Sequence, residues 1–200
     1  GDSSEVAAKK SGPNPRRDLG LAFVPEDRLG HGSVPEMMLT ENAFLSGYNR
    51  MRLLSAGFID NGGTADYAAD IVQKFDVRTP GIHHTANSLS GGNLQKFIVG
   101  REVLQKPEVI IVAHPTWGVD AGAAAFIHQT LIDLADSGAA VLVISQDLDE
   151  LFAISSRIAV IAEGRLSAGR ELGDITIEEI GLLMGGTHGM EETAGVSDVA

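Results

Sequence analysis

The residues best suited to chemistry in this chain form one run, Ser88-Leu89-Ser90-Gly91-Gly92-Asn93-Leu94-Gln95-Lys96. Two adjacent glycines let a ligand approach the backbone closely. They open a stretch with Leu94, Phe97, Ile98, Arg101 and Leu104 at helical spacing. The free amides and positive dipole end of a helix therefore begin there, and both favour an anion such as phosphate. The Ser90 hydroxyl can add a hydrogen bond. Taken alone, a Ser-Gly-Gly run serves equally well as a plain N-cap after a glycine-rich turn.

Holding that run in place requires a scaffold, and the hydrophobic periodicity predicts one. Residues 19–24 (LGLAFV), 109–113 (VIIVA) and 141–145 (VLVIS) are short apolar runs of buried-strand type. Residues 40–45, 65–75, 92–105, 121–136, 148–155 and 175–184 read as helices. Pro107 ends the third of these, and Gly138 stops the fourth. Residues 158–162 and 165–168 read as a hairpin around Glu163-Gly164. Buried strands alternating with helices predict an α/β fold with a mostly parallel sheet. The helical stretch at 34–106 interrupts that alternation as an inserted helical subdomain. The expected division is a flexible tail at 1–18, an α/β core from 19–33 and 107–184, the helical subdomain at 34–106, and a second tail at 185–200.

Composition narrows the function classes. The 200 residues carry 15 Lys+Arg against 27 Asp+Glu, a net charge of −12, with the excess acid on the body of the chain. That balance argues against nucleic acid as a partner. The absence of cysteine excludes disulfides and thiolate metal sites. No apolar run approaches the roughly 20 residues of a spanning helix, so direct membrane insertion is not expected. His83-His84 are adjacent loop residues without a carboxylate partner, and no metal site is predicted. Trp117 reads as packing beside Gly118, and Asp147, Asp149 and Glu150 as a solvated helix start.

Taken in order, the motifs resemble the ATP-binding cassette (ABC) ATPases. Leu89, Ser90, Gly91, Gly92 and Asn93 match the signature motif, in the LSGGN form of sugar and nucleoside importers. Gly118, Val119 and Asp120 match the D-loop, and Ile144-Ser145-Gln146-Asp147-Leu148 the switch-loop region. Val24-Pro25-Glu26-Asp27-Arg28 resembles the stretch at the Q-loop. Residues 106–116 align with the strand that normally ends in the Walker B Asp and the catalytic Glu. The likeness runs from about Leu19 to Met184 and is greater to the second, C-terminal cassette of fused importer ATPases. Pro115-Thr116-Trp117-Gly118-Val119-Asp120 and Gln146-Asp147-Leu148-Asp149-Glu150 look most like the nucleoside branch. The resemblance implies a partial P-loop NTPase core plus the helical subdomain.

The departures are as informative as the match. No G-x-x-x-x-G-K-[ST] occurs in the 200 residues, so the resemblance implies that the P-loop part is missing at the N-terminal end. The sheet core is then expected to be incomplete, with an edge or apolar face left uncovered. The Walker B Asp position reads Ala113, whose methyl cannot help to hold Mg²⁺. The catalytic Glu position reads His114, and the switch His position reads Gln146. Each has a bland reading: Ala113 packs the strand, and His114 is a loop residue before Pro115. Together they leave no intact catalytic set.

The resemblance implies that two cassettes face each other, with each ATP between one P-loop and the other cassette's signature motif. Residues 89–93 would then act in trans, and ATP and Mg²⁺ would be held mainly by a partner cassette. The isolated chain is expected to be inactive and to hold no cofactor. Expected partners are another ABC cassette and membrane permease subunits, which Glu26, Asp27 and Arg28 would contact, and the fragment itself is expected either to be marginally stable alone or to self-associate. Phe44, Leu45 and Tyr48 read either as subdomain core or as a groove for the permease. The expected location is cytoplasmic, peripheral at the inner face of the cell membrane. The alternative is a non-catalytic regulatory or interaction module that retains the ABC fold.

Overall fold

The computed structural model describes residues 12–186 of the chain. They divide into two compact units, with the boundary after Gln146. That boundary falls inside the stretch the sequence assigns to one α/β core.

In the first unit the order is α1 (Pro13–Asp18), β1 (Leu21–Val24), α2 (Leu39–Gly47), β2 (Leu54–Ser55), β3 (Phe58–Ile59), α3 (Asn61–Lys74), α4 (Gly91–Val103), β4 (Val109–Ala113), α5 (Ala121–Asp136) and β5 (Ala140–Ile144). β1, β4 and β5 form a parallel sheet with β4 in the middle. Val24 pairs with Val112, and Val112 with Val143. The expected α/β class with a parallel sheet is therefore present.

Alternation along the strands decides where the core lies. Ala22, Val24, Ile110 and Val112 point to one face and are buried. Val24, Ile110 and Val112, fully buried there, each contribute about 1.5–3 kcal/mol. Phe23, Val109, Leu142 and Ile144 occupy the other parity and are exposed, Leu142 at 52%. Leu21 and Ile111 share that parity and are half-buried.

The helices begin and end at local signals. Asp60 caps α3 by accepting from the Gly63 amide at 3.0 Å. Asp120 caps α5 by accepting from the Ala123 amide at 2.9 Å. Gly138, at φ +100°, closes α5 as expected. Helix α4 differs from an amphipathic reading, because Leu94, Gln95, Phe97–Gly100, Arg101 and Glu102 are all buried. The polar members of that set are paired. Glu102 accepts from Arg17 at 3.1 Å and from Arg101 at 3.0 Å. Arg101 also donates to the carbonyls of Gly32 and Asn42, at 2.9 and 3.2 Å. The Tyr67 hydroxyl donates to the Arg101 carbonyl.

One expectation needs correction here. Residues 13–18 form α1 rather than tail, because Pro at the helix start and the Arg17–Glu102 pair fix them. The rest of both expected tails, 1–11 and 187–200, lies outside the described residues. The β2–β3 hairpin was not expected from the sequence either. It turns at Ala56 and Gly57, both at positive φ, and its strands are only two residues long.

The second unit contains α6 (Leu148–Ile154), β6 (Arg157–Ile158), β7 (Ile161–Ala162), β8 (Arg165–Leu166), β9 (Arg170–Glu171) and α7 (Ile177–Met184). β7 and β8 form the expected hairpin over Glu163-Gly164, and β6 pairs with β9. A small core of Ile158, Val160, Ile175 and Ile180 is flanked by Leu151, Phe152 and Leu183. Asp147 caps α6 by accepting from the Glu150 amide at 3.1 Å. Glu150 itself is buried, not solvated as the sequence reading held.

Candidate functional site

The carboxyl ends of parallel strands are where loops can gather polar groups, since each strand hands over to a loop at the same edge. Here β1 runs into Pro25-Glu26-Asp27-Arg28, β4 into His114-Pro115-Thr116, and β5 into Ser145-Gln146. Three of the expected motifs therefore share one edge of the sheet by topology alone.

The signature run approaches from the helical side. A 3-10 turn at Ala86–Ser88 leads into Leu89, and Ser90 takes the N-cap position of α4 in extended conformation. Its hydroxyl makes no capping bond. It accepts instead from the Asn93 side-chain amide at 2.9 Å. The Asn93 carbonyl oxygen accepts from the Arg78 backbone amide at 2.8 Å. Asn93 is thus a brace within the motif, and Ser90 and Gly91 remain exposed at the helix start.

The D-loop packs directly against this start. A methyl at Gly91 would lie 3.5 Å from the Gly118 carbonyl oxygen, and a methyl at Gly92 would lie 3.2 Å from an Asp120 carboxylate oxygen. Gly118 turns the chain at φ +62°, which suits glycine. The Ala123 amide holds the Asp120 carboxyl below its usual range; partial desolvation opposes this, and the Gly122 amide and Lys96 assist. Leu89, Ser90, Gly91, Gly92 and Asn93 are therefore brought together with Gly118, Val119 and Asp120.

Glu26, Asp27 and Arg28 diverge. Glu26 is largely exposed, with a carboxylate oxygen 4.0 Å from His114 Nε2. Asp27 meets His31 at 3.1 Å on the surface. Arg28 turns the other way, toward Gly91 and Gly118. Burial pushes its guanidinium below the usual arginine value.

The positions that would hold metal and base offer little. Ala113 ends β4 and is half-buried. His114 sits at φ +47°, and its backbone amide donates to the Ile144 carbonyl at 2.8 Å. Gln146 is exposed. Among the described residues no group of three His, Asp or Glu could hold a metal ion.

Trp117 is a correction: it is 71% exposed, touching His114 edge-on with 6.3 Å between ring centroids. The tight turn at Gly118 points it outward instead of into the packing. Phe44 and Tyr48 are half-buried with their rings 5.8 Å apart, and Leu45 is exposed. One contributor has no sequence signal. The Gln95 side-chain amide donates to the Pro115 carbonyl at 2.9 Å, joining the signature helix to the loop after β4. Its own carbonyl oxygen is buried without a partner among the described residues.

Known proteins bear on this arrangement. The chain is 40% identical over 175 residues to the guanosine import ATP-binding protein NupO of Bacillus subtilis, covering 88% of this chain and 34% of that protein. It is 41% identical over 174 residues to the nucleoside import ATP-binding protein NupA of Lactococcus lactis, covering 87% of this chain and 34% of that protein. It is 36% identical over 196 residues to the ribose import ATP-binding protein RbsA 1 of Rubrobacter xylanophilus, covering 94% and 38%. The chain thus spans about a third of the length of these curated relatives. No protein-family model matches it. Among solved structures it resembles the dimeric post-hydrolysis state of the ATP-binding cassette MJ0796 bound to ADP and Pi, with a TM-score of 0.66 at 20% identity. That match covers 82% of this chain and 68% of the cassette. At that identity the likeness establishes the fold, part of an ATP-binding cassette core.

Proposed function

We propose that this chain, whose homologues are the ATP-binding proteins of sugar and nucleoside importers, supplies a signature motif in trans to nucleotide held by a partner cassette. One observation carries the reading. Ser90 and Gly91 are exposed, with Ser90 braced by Asn93, at the start of a buried helix, while the ends of β4 and β5 beside them present Ala113, His114 and Gln146. On this reading Ser90 and the amides of Gly91 and Gly92 donate to a terminal phosphate, and Asp120 lies at the cassette interface. The strand-end residues do not fit Mg²⁺, because no carboxylate stands at Ala113 to help hold it. Hydrolysis would take place at one competent site for which this chain is the lid.

The reading includes the second-cassette assignment, the nucleoside branch, a core from 19–33 and 107–184, and a helical subdomain at 34–106. It also includes permease contact through the loop of Glu26, Asp27 and Arg28 and a cytoplasmic location at the membrane's inner face. No helix among the described residues is long and apolar enough to cross a membrane.

The test is asymmetric substitution in the assembled importer. Ser90→Arg should lower ATPase turnover by about a hundredfold or more, the scale of losing a preorganised oxyanion donor, whereas His114→Ala should change it less than about twofold. Equal losses would defeat the asymmetric reading. A second reading, a regulatory module that keeps only the fold, is favoured by Ala113 and His114. It predicts no effect from Ser90→Arg. Titration of the chain alone should show no tight nucleotide binding, and a submicromolar Kd, beyond about −8 kcal/mol, would overturn the claim of an unfit site.

A further inference from the structure

Arg28 is the one member of the loop after β1 that leaves its neighbours and enters the signature region. A methyl at Gly91 would lie 2.7 Å from one terminal guanidinium nitrogen, and a methyl at Gly118 would lie 3.5 Å from the other. The guanidinium therefore occupies the space between the signature motif and the D-loop that these glycines leave open. It has no carboxylate or hydrogen-bond partner among the described residues, although it is half-buried.

The loop that carries Arg28 is itself fixed. The Gly32 amide donates to the Asp27 carbonyl at 2.8 Å, and the Ser33 hydroxyl donates to the Arg28 carbonyl at 2.7 Å. Arg101, three turns along α4, donates to the Gly32 carbonyl at 2.9 Å. The loop and the signature helix are thus joined at two points, Arg101 on Gly32 and Arg28 against Gly91. A displacement of the loop has to be shared by the start of α4.

We infer that Arg28 is a positioning residue that sets the spacing between Gly91 of the signature motif and Gly118 of the D-loop. The inference rests on the in-trans reading above and deepens it. The loop proposed to meet the permease then has a direct handle on the residues proposed to meet the phosphate. Lysine cannot replace that planar fork, because its ammonium is a single point on a flexible stem.

The test has two arms. In the 200-residue chain, Arg28→Ala should shift the amide resonances of Gly91 and Gly118 and change the quenching of Trp117, the sole tryptophan, while the melting transition is retained. Arg28→Lys should restore these signals only in part. Gly91→Ala, which displaces the guanidinium without removing it, should produce a shift at Gly118 as well. Unchanged Gly91 and Gly118 resonances in Arg28→Ala would overturn the inference.

In the assembled importer, Arg28→Ala should lower kcat about tenfold to a hundredfold, as for a small misplacement of reacting groups, with KM for ATP within about twofold. A raised KM with unchanged kcat would make Arg28 a direct ligand of bound nucleotide and refute a positioning role. If Ser90→Arg leaves turnover intact in the same assembly, the in-trans reading fails, and the Gly91 and Gly118 resonances still decide the placement of Arg28.

Discussion

The start of α4 and the end of β4 lie side by side at one edge of the sheet, yet they are held very differently. Asn93 braces Ser90, Arg78 braces Asn93, Asp120 lies against Gly92, and Arg28 against Gly91. Behind them the helix is anchored by Glu102, Arg101 and Arg17. At the end of β4, His114 has its backbone bond to Ile144, a 4.0 Å approach to Glu26 and an edge contact with exposed Trp117. A group that acts on a ligand held elsewhere has to be presented rigidly. A group that acts on its own ligand has to coordinate it, and Ala113 has nothing to coordinate with. On the proposed reading, bracing was kept where presentation matters and lost where coordination did.

The sharpest way to break the contrast is to remove the anchor. Glu102 is fully buried between two arginines, so Glu102→Ala strands Arg101 as an uncompensated buried charge. The expected loss is about 3–5 kcal/mol of stability, measured by urea unfolding of the first unit. A loss below about 1 kcal/mol would mean that the signature helix is held by apolar packing alone. Glu102→Gln keeps the shape and should lose less, because the amide oxygen can still accept from one guanidinium.

How much of this was readable depends on sequence distance. β4 was legible because VIIVA is a continuous apolar run between prolines, and the end of α5 because Gly138 stops it. The hairpin at Leu54–Ser55 and Phe58–Ile59 was not, because two-residue strands carry no periodicity and Ala56-Gly57 is a weak turn signal. The bracing network was invisible for another reason. Glu102 and Arg17 lie 85 residues apart, and Arg101 and Gly32 lie 69 apart. A buried polar position such as Gln95 looks in sequence like any solvated helix residue. Of the candidate site, the motif residues were legible by type and order. The inward turn of Arg28 and the exposure of Trp117 were not, since both depend on how loops close.

The second comparison is electrostatic. Asp120 caps α5, and its carboxyl is held below the usual carboxylate range chiefly by the Ala123 amide. A folded-state value below the unfolded value of about 3.9 means that the ionised carboxylate contributes stability above that pH. The contribution is lost as pH falls through the folded value. Asp120→Ala should therefore lower the melting temperature by about 2–4 °C at neutral pH, with the gap to the wild type narrowing below about pH 4. Asp120→Asn retains a cap and should flatten the pH dependence without the full loss. A gap independent of pH would mean that the carboxylate contributes packing only. No corresponding carboxylate exists at Ala113.

The smallest effect is expected at His114, and for that reason it is the most discriminating. A left-handed backbone costs a non-glycine residue about 1–2 kcal/mol, and such strain is usually retained at working sites. His114, at φ +47°, carries that strain at the position where a catalytic base would stand. Replacing it with glycine removes the strain but adds about 0.5–1 kcal/mol of unfolded-state entropy. It also removes a side chain that is only 15% exposed and packs edge-on against Trp117. These changes oppose one another, so His114→Gly should leave stability within about 1 kcal/mol of the wild type. Importer turnover should stay within about twofold, because the Glu26 carboxylate, 4.0 Å from His114 Nε2, lies beyond hydrogen-bond reach and so does not orient the ring for proton transfer. A fall of tenfold or more with stability unchanged would place His114 in the chemistry. The strained turn would then be a working part of the end of β4, and the contrast with the signature run would become a division of labour between two active groups.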